Sequence, residues 1–125
     1  SACLVGSEMC IRDRDKPVLV SEFQFGSRDR GPFWPGPLEL AREEDRGPAY
    51  ANFLKAALAQ PMIVGAHWFQ YLDQPASGRL LDGENGHLGL VAITDMPYPG
   101  FVDAVRKSNL QTMNQLRAEL EKPAP

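Results

Sequence analysis

The stretch KPVLVSEFQFG, residues 16–26, decides the fold, because an unbroken apolar run in it ends at a carboxylate with aromatic residues just beyond. The run consists of Val18, Leu19 and Val20, and such a run is typical of a short strand that is covered on both faces. Glu22 lies where this strand should end. It is therefore the first candidate functional residue of the chain.

The composition indicates a small globular unit with a neutral partner. The 125 residues are 43% hydrophobic, which is enough for one small core, and no apolar run is long enough to span a membrane. Thirteen basic and sixteen acidic residues give a net charge of -3 with no long block of either sign, unlike a nucleic-acid-binding protein. We therefore expect neither nucleic acid nor a membrane as a partner, and the sequence indicates no oligomeric state.

The first 14 residues are interpreted as a segment that is not native to the protein. GSEMCIRDR, residues 6–14, is the translation of the transposase adapter that is used in preparing DNA libraries for sequencing. We therefore set aside residues 1–14, which contain both cysteines, and expect the native sequence to begin near Asp15. The alternative is a native N-terminal arm.

After the first strand, the sequence alternates between helix and strand patterns. Residues 48–60, PAYANFLKAALAQ, carry apolar side chains at helical spacing with a proline at the start and another just beyond the end, and they predict a helix. Residues 61–71, PMIVGAHWFQY, predict a second buried strand because they are rich in β-branched and aromatic residues. Residues 72–96 contain turn signals around a short extended piece, LGLVAI, and a final helix is predicted from Pro99 to about Glu121.

This order of elements predicts an α/β fold. Two parallel strands joined by a helix form a βαβ unit, and each predicted strand ends in residues suited to chemistry. In (β/α) barrels the active site lies at the carboxyl ends of the strands, which accounts for the position of Glu22. Two strands cannot close a barrel, so the pattern indicates the last quarter of a larger one.

Three segments, VLVSEFQFGSRDRGPFWPG, IVGAHWFQYLDQPASGR and DGENGHLGLVAITDMPYP, resemble the C-terminal end of the agarase-type glycoside hydrolases of family 50. The similarity extends from about Lys16 to Asn109, and it implies the (β/α)8 TIM barrel of a clan of retaining enzymes. The predicted elements would then be strand 7, helix 7, strand 8 and helix 8. Residues 15–122 would form this incomplete C-terminal quarter of the barrel, and residues 123–125 a tail.

The resemblance implies that Glu22 is the nucleophile of a retaining β-glycosidase that hydrolyses β-galactosidic bonds in agarose-like galactans. Such enzymes need two carboxyl groups, and the acid/base, a Glu on the fourth strand of the clan, would lie upstream of this chain. We therefore expect the isolated chain to be inactive. Glu84 is the alternative second carboxylate, although its place in a Gly-rich loop favours hydrogen bonding. The alternative function is a catalytically silent carbohydrate-binding or structural segment of a barrel protein.

The end of the second strand supplies three candidate sugar contacts. The resemblance makes Trp68 the aromatic platform on which a sugar ring stacks, with a core position as the alternative. Gln70 should share the inward face of Trp68, where it could bond a sugar hydroxyl. Strand alternation directs His67 toward the helices, so a structural histidine is as well supported there as a sugar contact.

The loops supply the remaining candidates. Asp73, Gln74, Glu84 and Asn85 are predicted to bind substrate because they match the motifs of the resemblance. Loop structure is the alternative for Asp73, Gln74 and Asn85, as it is for Asp82, because these are turn-forming residue types. Trp34, between two prolines, is predicted to line an outer sugar subsite or to clamp the helix.

No cofactor is expected. Two histidines twenty residues apart make no metal site, no phosphate loop follows either strand, and the GRLLDGENG loop lacks the regular acidic spacing of a calcium site. The expected partner is a polysaccharide or oligosaccharide substrate. The resemblance suggests a secreted or periplasmic enzyme, whose signal would lie upstream of these residues.

Overall fold

A computed structural model describes residues 16–30 and 34–122 of the chain. The segment interpreted as adapter-derived, residues 1–14, and the predicted tail, residues 123–125, lie outside the described residues. In the described part, no helix has both the length and the apolar character needed to cross a membrane. The elements are β1 (Val18–Phe23), β2 (Gly26–Ser27), β3 (Glu39–Leu40), a 3-10 turn (Glu43–Asp45), α1 (Arg46–Leu58), β4 (Ile63–Trp68) and α2 (Pro99–Leu120).

The predicted order of strand, helix, strand and helix is confirmed. β1 and β4 pair in parallel, with α1 in the connection between them, and a second small sheet joins β2 to β3. Helix α1 begins two residues before the predicted 48–60, and α2 begins at Pro99 as predicted. The residues described therefore form a small mixed α/β unit.

The end of β1 contains an irregularity that the sequence pattern did not predict. Val20 is opposite Ala66 and Phe23 is opposite Trp68, so two residues, Ser21 and Glu22, face the single residue between the partners on β4. This is a β-bulge, which bends a strand and redirects its side chains. Glu22 therefore lies within the bulge, one residue before β1 ends.

Among the described residues, the first strand is covered on one face only, not on both faces as predicted. Phe23 and Val20 pack into an aromatic cluster with the helices, but Leu19, on the opposite face, keeps 49% of its surface exposed. The reason is that both helices contribute to the same cluster, through Tyr50 and Leu54 of α1 and Phe101 of α2. The sheet therefore has a helix side and an open side.

Helix α2 is buried only near its start. Phe101 is 3% exposed and Val105 packs against the core cluster. The predicted apolar stripe continues along α2. Helix α1 has only 13 residues, whereas α2 has 22, so α1 covers only part of the stripe. In the C-terminal half, four apolar residues are exposed: Leu110, Met113, Leu116 and Leu120.

Candidate functional site

The candidate site lies on the open side of the sheet around Glu22. Phe23 points into the core cluster, while Ser21 and Glu22 of the bulge are both exposed to solvent. Because β1 and β4 are parallel, their carboxyl ends meet at one edge of the sheet, and the Phe69 amide donates a 2.9 Å hydrogen bond to the carbonyl of Phe23. The loop that follows β4 therefore starts beside the candidate nucleophile.

Arg79 is held rigidly in that loop. Its guanidinium forms ion pairs with Asp82 at 2.5 Å and with Glu84 at 2.8 Å, and its amide donates a 2.8 Å hydrogen bond to the Glu84 carbonyl. The guanidinium also lies 5.7 Å from the centre of the Phe69 ring. The hydrogen bond with Asp82 is the main reason that the pKa of Arg79 is raised, and the Glu22 carboxylate also contributes. Arg79 is thus connected through Phe69, whose amide is bonded to the Phe23 carbonyl, to the end of β1 that contains Glu22.

Trp68 lies on the helix side, not on the predicted inward face. Its ring centre is 5.2 Å from that of Phe23 and 5.0 Å from that of Phe101, and its indole N–H donates a 3.0 Å hydrogen bond to the Leu88 carbonyl. The Trp68 ring is thus packed against other aromatic rings, and its N–H already has a hydrogen-bond partner within the protein. The structure therefore favours the core alternative for Trp68 over the sugar platform.

The positions of His67 and Phe69 follow from that of Trp68. Since neighbouring strand residues point to opposite faces, His67 turns away from the helices, contrary to the prediction, and it is exposed. Phe69 takes no part in the aromatic cluster and lies under Arg79 instead. Gln70 is half-buried, and its side-chain amide donates a 2.7 Å hydrogen bond to the Leu72 carbonyl. Phe69 is the aromatic residue beside Glu22 that sequence reasoning missed.

Two predicted sugar contacts, Asp73 and Gln74, are buried. Asp73 accepts hydrogen bonds from the Gly89 amide at 2.6 Å and the Tyr98 hydroxyl at 2.5 Å, and it pairs with His87. Gln74 accepts a 2.5 Å hydrogen bond from the amide of Gly86 and is 0% exposed. For these two residues the structure favours the loop alternative, because their polar atoms are already bonded within the protein.

The remaining predicted contacts also stabilise the loops. Asn85 accepts a 3.2 Å hydrogen bond from the Trp34 amide, which joins the loop after β4 to the loop between β2 and β3. Glu84 accepts hydrogen bonds from the side chains of Gln74 and Arg79, both at 2.8 Å. Glu84 is thus part of the connection that leads from the buried Gln74 out to Arg79.

A buried charged network on the helix side was not predicted. Arg46, which is 0% exposed, donates to the carbonyl of Phe25 at 3.0 Å and of Gly89 at 2.8 Å, and pairs with Glu43 at 3.1 Å. His87 is also 0% exposed and is bonded through one ring nitrogen to Asp73 and through the other to Glu43. The Arg46–Glu43 pair has the spacing of i and i+3, which is visible in the sequence, but the contacts of these two residues with His87 span 41 and 44 residues.

The network shifts the pKa of each member. Burial acts to lower the pKa of His87, but the hydrogen bonds with Asp73 and Glu43 outweigh it, and the pKa is raised. Burial acts to raise the pKa of both carboxyls, but His87 and the other donors outweigh it and lower both values. Burial is also the main reason that the pKa of Tyr98 is strongly raised. The charged forms of His87, Asp73 and Glu43 therefore stabilise one another.

A cleft of about 540 Å³ lies elsewhere, at the N-terminal ends of both helices. Its walls include Asp29, Arg42, Glu43 and Tyr98, and it contains none of the predicted site residues. Several of its charged residues already have partners, since Asp29 accepts hydrogen bonds from the Glu43 amide and Arg42 pairs with Glu44. Among the residues described, no group of three or more His, Cys, Asp or Glu side chains could hold a metal ion.

Comparison with known proteins gives consistent sequence matches. Beta-agarase B of Vibrio sp. (strain JT0107) is 46% identical over 99 residues, which make up 79% of this chain and 10% of that protein. Beta-agarase A of the same organism is 44% identical over 95 residues, 76% of this chain and 10% of that protein. The chain thus spans about a tenth of the length of the curated relatives it matches. No family model matches it.

Solved structures of agarases and of a GH50 protein also match most of this chain. The structure of an exo-beta-agarase matches 87% of this chain and 15% of its own, with a TM-score of 0.81 and 38% identity. PfGH50B matches 88% of this chain and 16% of its own, with a TM-score of 0.82 and 35% identity. The agarase AgWH50C matches 85% of this chain and 16% of its own, with a TM-score of 0.79 and 37% identity.

Proposed function

Because the chain belongs to the agarase-type glycoside hydrolases of family 50, as a segment of such a protein, we propose that it carries the nucleophile of a retaining β-glycosidase. The substrate is a galactan of the agarose type, and the bond that is cleaved is β-galactosidic. The nucleophile is Glu22. The β1–α1–β4–α2 unit is the seventh and eighth strand–helix pairs of a (β/α)8 barrel.

The observation that carries this proposal is the position of Glu22 on the open side at the carboxyl end of a parallel strand. Barrel enzymes assemble their active sites at this end of the strands. A bulge that redirects a side chain is also common next to active sites. Glu22 can therefore reach a sugar that lies over the open side, whereas most of the other predicted polar residues are bonded within loops.

The chemistry requires a second carboxyl group. In a retaining glycosidase, one carboxylate attacks the anomeric carbon while the other carboxyl, about 5–5.5 Å away, protonates the leaving oxygen and later activates the water. Glu84 is a poor candidate because it is already bonded to Arg79 and Gln74. The family resemblance instead implies an acid/base Glu upstream of these residues, so the 125 residues alone should hydrolyse neither agarose oligosaccharides nor aryl β-galactosides.

The test uses the full-length enzyme with Glu22→Gln, which keeps the shape of the side chain and removes the attacking oxygen. Turnover should fall by several orders of magnitude while oligosaccharide binding persists. In Glu22→Gly, azide should restore activity by attacking in place of the missing carboxylate. Glu119→Gln, which changes an exposed carboxylate on α2, is the matched control and should keep full activity. Inversion at the anomeric carbon by the unaltered enzyme, or no rescue by azide, would reject the nucleophile assignment.

A further inference from the structure

We infer that Arg79 is a sugar-binding residue of the site around Glu22, which donates a hydrogen bond to a substrate hydroxyl next to the bond that is cleaved. This inference rests on the proposed function, because it assigns a further residue to the same site. It starts from the hydrogen bonds of the guanidinium. Nε and Nη2 bind Asp82 and Glu84, and Nη1 has no partner among the described residues.

The Arg79 side chain is positioned so that Nη1 can donate a hydrogen bond to a ligand. It is 31% exposed, so it reaches solvent, and two carboxylates hold its guanidinium. A tight turn holds its backbone, since the Arg79 carbonyl accepts a 2.8 Å hydrogen bond from the Gly83 amide and the Gly78 amide donates one of 2.8 Å to Pro75. A guanidinium that is fixed before binding loses less conformational entropy when it bonds a ligand.

The surroundings of Arg79 suit a neutral sugar. Its charge is matched by the carboxylates of Asp82 and Glu84, so the group presents a hydrogen-bond donor rather than an unbalanced positive charge. The Phe69 ring under the guanidinium offers an apolar surface next to the donor. Sugar-binding sites combine apolar surface with a few placed polar groups in this way.

The line of contacts behind Arg79 explains why it stays in place. Glu84 is bonded to Gln74, and Gln74 is buried at 0% exposure with its oxygen on the Gly86 amide. The motif residues that do not face the substrate therefore act as positioning residues for Arg79. Asp82 adds a second carboxylate from within the same turn, where its oxygen also accepts a hydrogen bond from the Glu84 amide.

The experiment measures binding of neutral agarose oligosaccharides to the full-length protein in the inactive Glu22→Gln background, with and without Arg79→Gln. We expect the second change to weaken binding by about 10- to 100-fold, the value of a lost hydrogen bond from a charged donor. Arg79→Lys should recover part of the loss. Arg28→Gln, which removes an exposed arginine paired with Glu39, is the matched control and should leave binding unchanged.

A second measurement separates binding from loop stability. Asp82→Asn should weaken binding less than Arg79→Gln does, because Glu84 still holds the guanidinium. An oligosaccharide that lacks the bonded hydroxyl should bind equally to the parent and to Arg79→Gln. Equal affinity of both proteins for the complete oligosaccharide would overturn the inference even if Glu22 proves to be the nucleophile. Absence of oligosaccharide binding by the Glu22→Gln parent would also overturn it.

Discussion

The helix side and the open side of the β1–β4 sheet use charged residues in opposite ways. On the helix side, Arg46, His87 and Asp73 are buried and bonded to one another or to backbone groups. On the open side, Glu22 is exposed and Arg79 has a donor without a partner among the described residues. The helix side therefore satisfies its charges within the protein, whereas the open side leaves a carboxylate and a guanidinium donor without a bonded partner among the described residues.

The largest expected effect comes from removing the centre of the buried network. Arg46→Met should lower the free energy of unfolding of the full-length protein by about 3–5 kcal/mol, because Glu43 would lose its buried cation and two backbone carbonyls would lose their donor. Arg42→Met is the control, since its pair with Glu44 is exposed and should be worth less than about 1 kcal/mol. The midpoint of urea unfolding measures both. If both variants lowered the free energy of unfolding by a similarly small amount, the buried charges would not be what stabilises the helix side.

The next comparison uses two adjacent aromatic residues on opposite sides. Trp68→Ala should lower the free energy of unfolding by about 3 kcal/mol, because the ring packs against Phe23 and Phe101. Phe69→Ala should have a smaller effect on stability and should weaken oligosaccharide binding instead, since its ring lies under Arg79 on the open side. Thermal unfolding and titration calorimetry on the same samples measure the two effects. If Trp68→Ala weakened oligosaccharide binding with no loss of stability, the assignment of Trp68 to the helix side and of Phe69 to the open side would be wrong.

The sequence predicted the order of elements well but not the side on which each residue lies. Hydrophobic periodicity located both helices and both long strands, since those patterns depend on neighbouring residues. Alternation correctly put His67 and Trp68 on opposite faces, but it contains no information on which face meets the helices. The bulge at Ser21 and Glu22 also breaks the alternation, and nothing in the local pattern indicates it.

The candidate site was predicted unevenly for a related reason. Glu22 could be proposed as a site residue because a carboxylate after an apolar run stands out locally and a family motif surrounds it. The buried contacts of His87 with Glu43 and Arg46 join residues 44 and 41 positions apart, so no spacing rule detects them. Asp73 and Gln74 carry the same polar groups whether they bind sugar or support a loop, and only their burial distinguishes the two roles.

The smallest expected effect is the pH dependence of the helix side. The pKa of His87 is raised, so the stability that its charged form contributes is complete below its ordinary value of 6.5 and is lost as the pH rises through the folded-state value. The pKa values of Asp73 and Glu43 are lowered from 3.8 and 4.5, so their contribution is present above those values and is lost as the pH falls. The network should therefore be most stabilising between about pH 4.5 and 6.5, with a decrease in stability as the pH rises further. Thermal unfolding of the full-length protein from pH 5 to 9 measures this decrease, and His87→Asn should abolish it, whereas Arg79→Gln on the open side should leave it intact. An alkaline decrease of the same size in His87→Asn would place the titrating group outside the network.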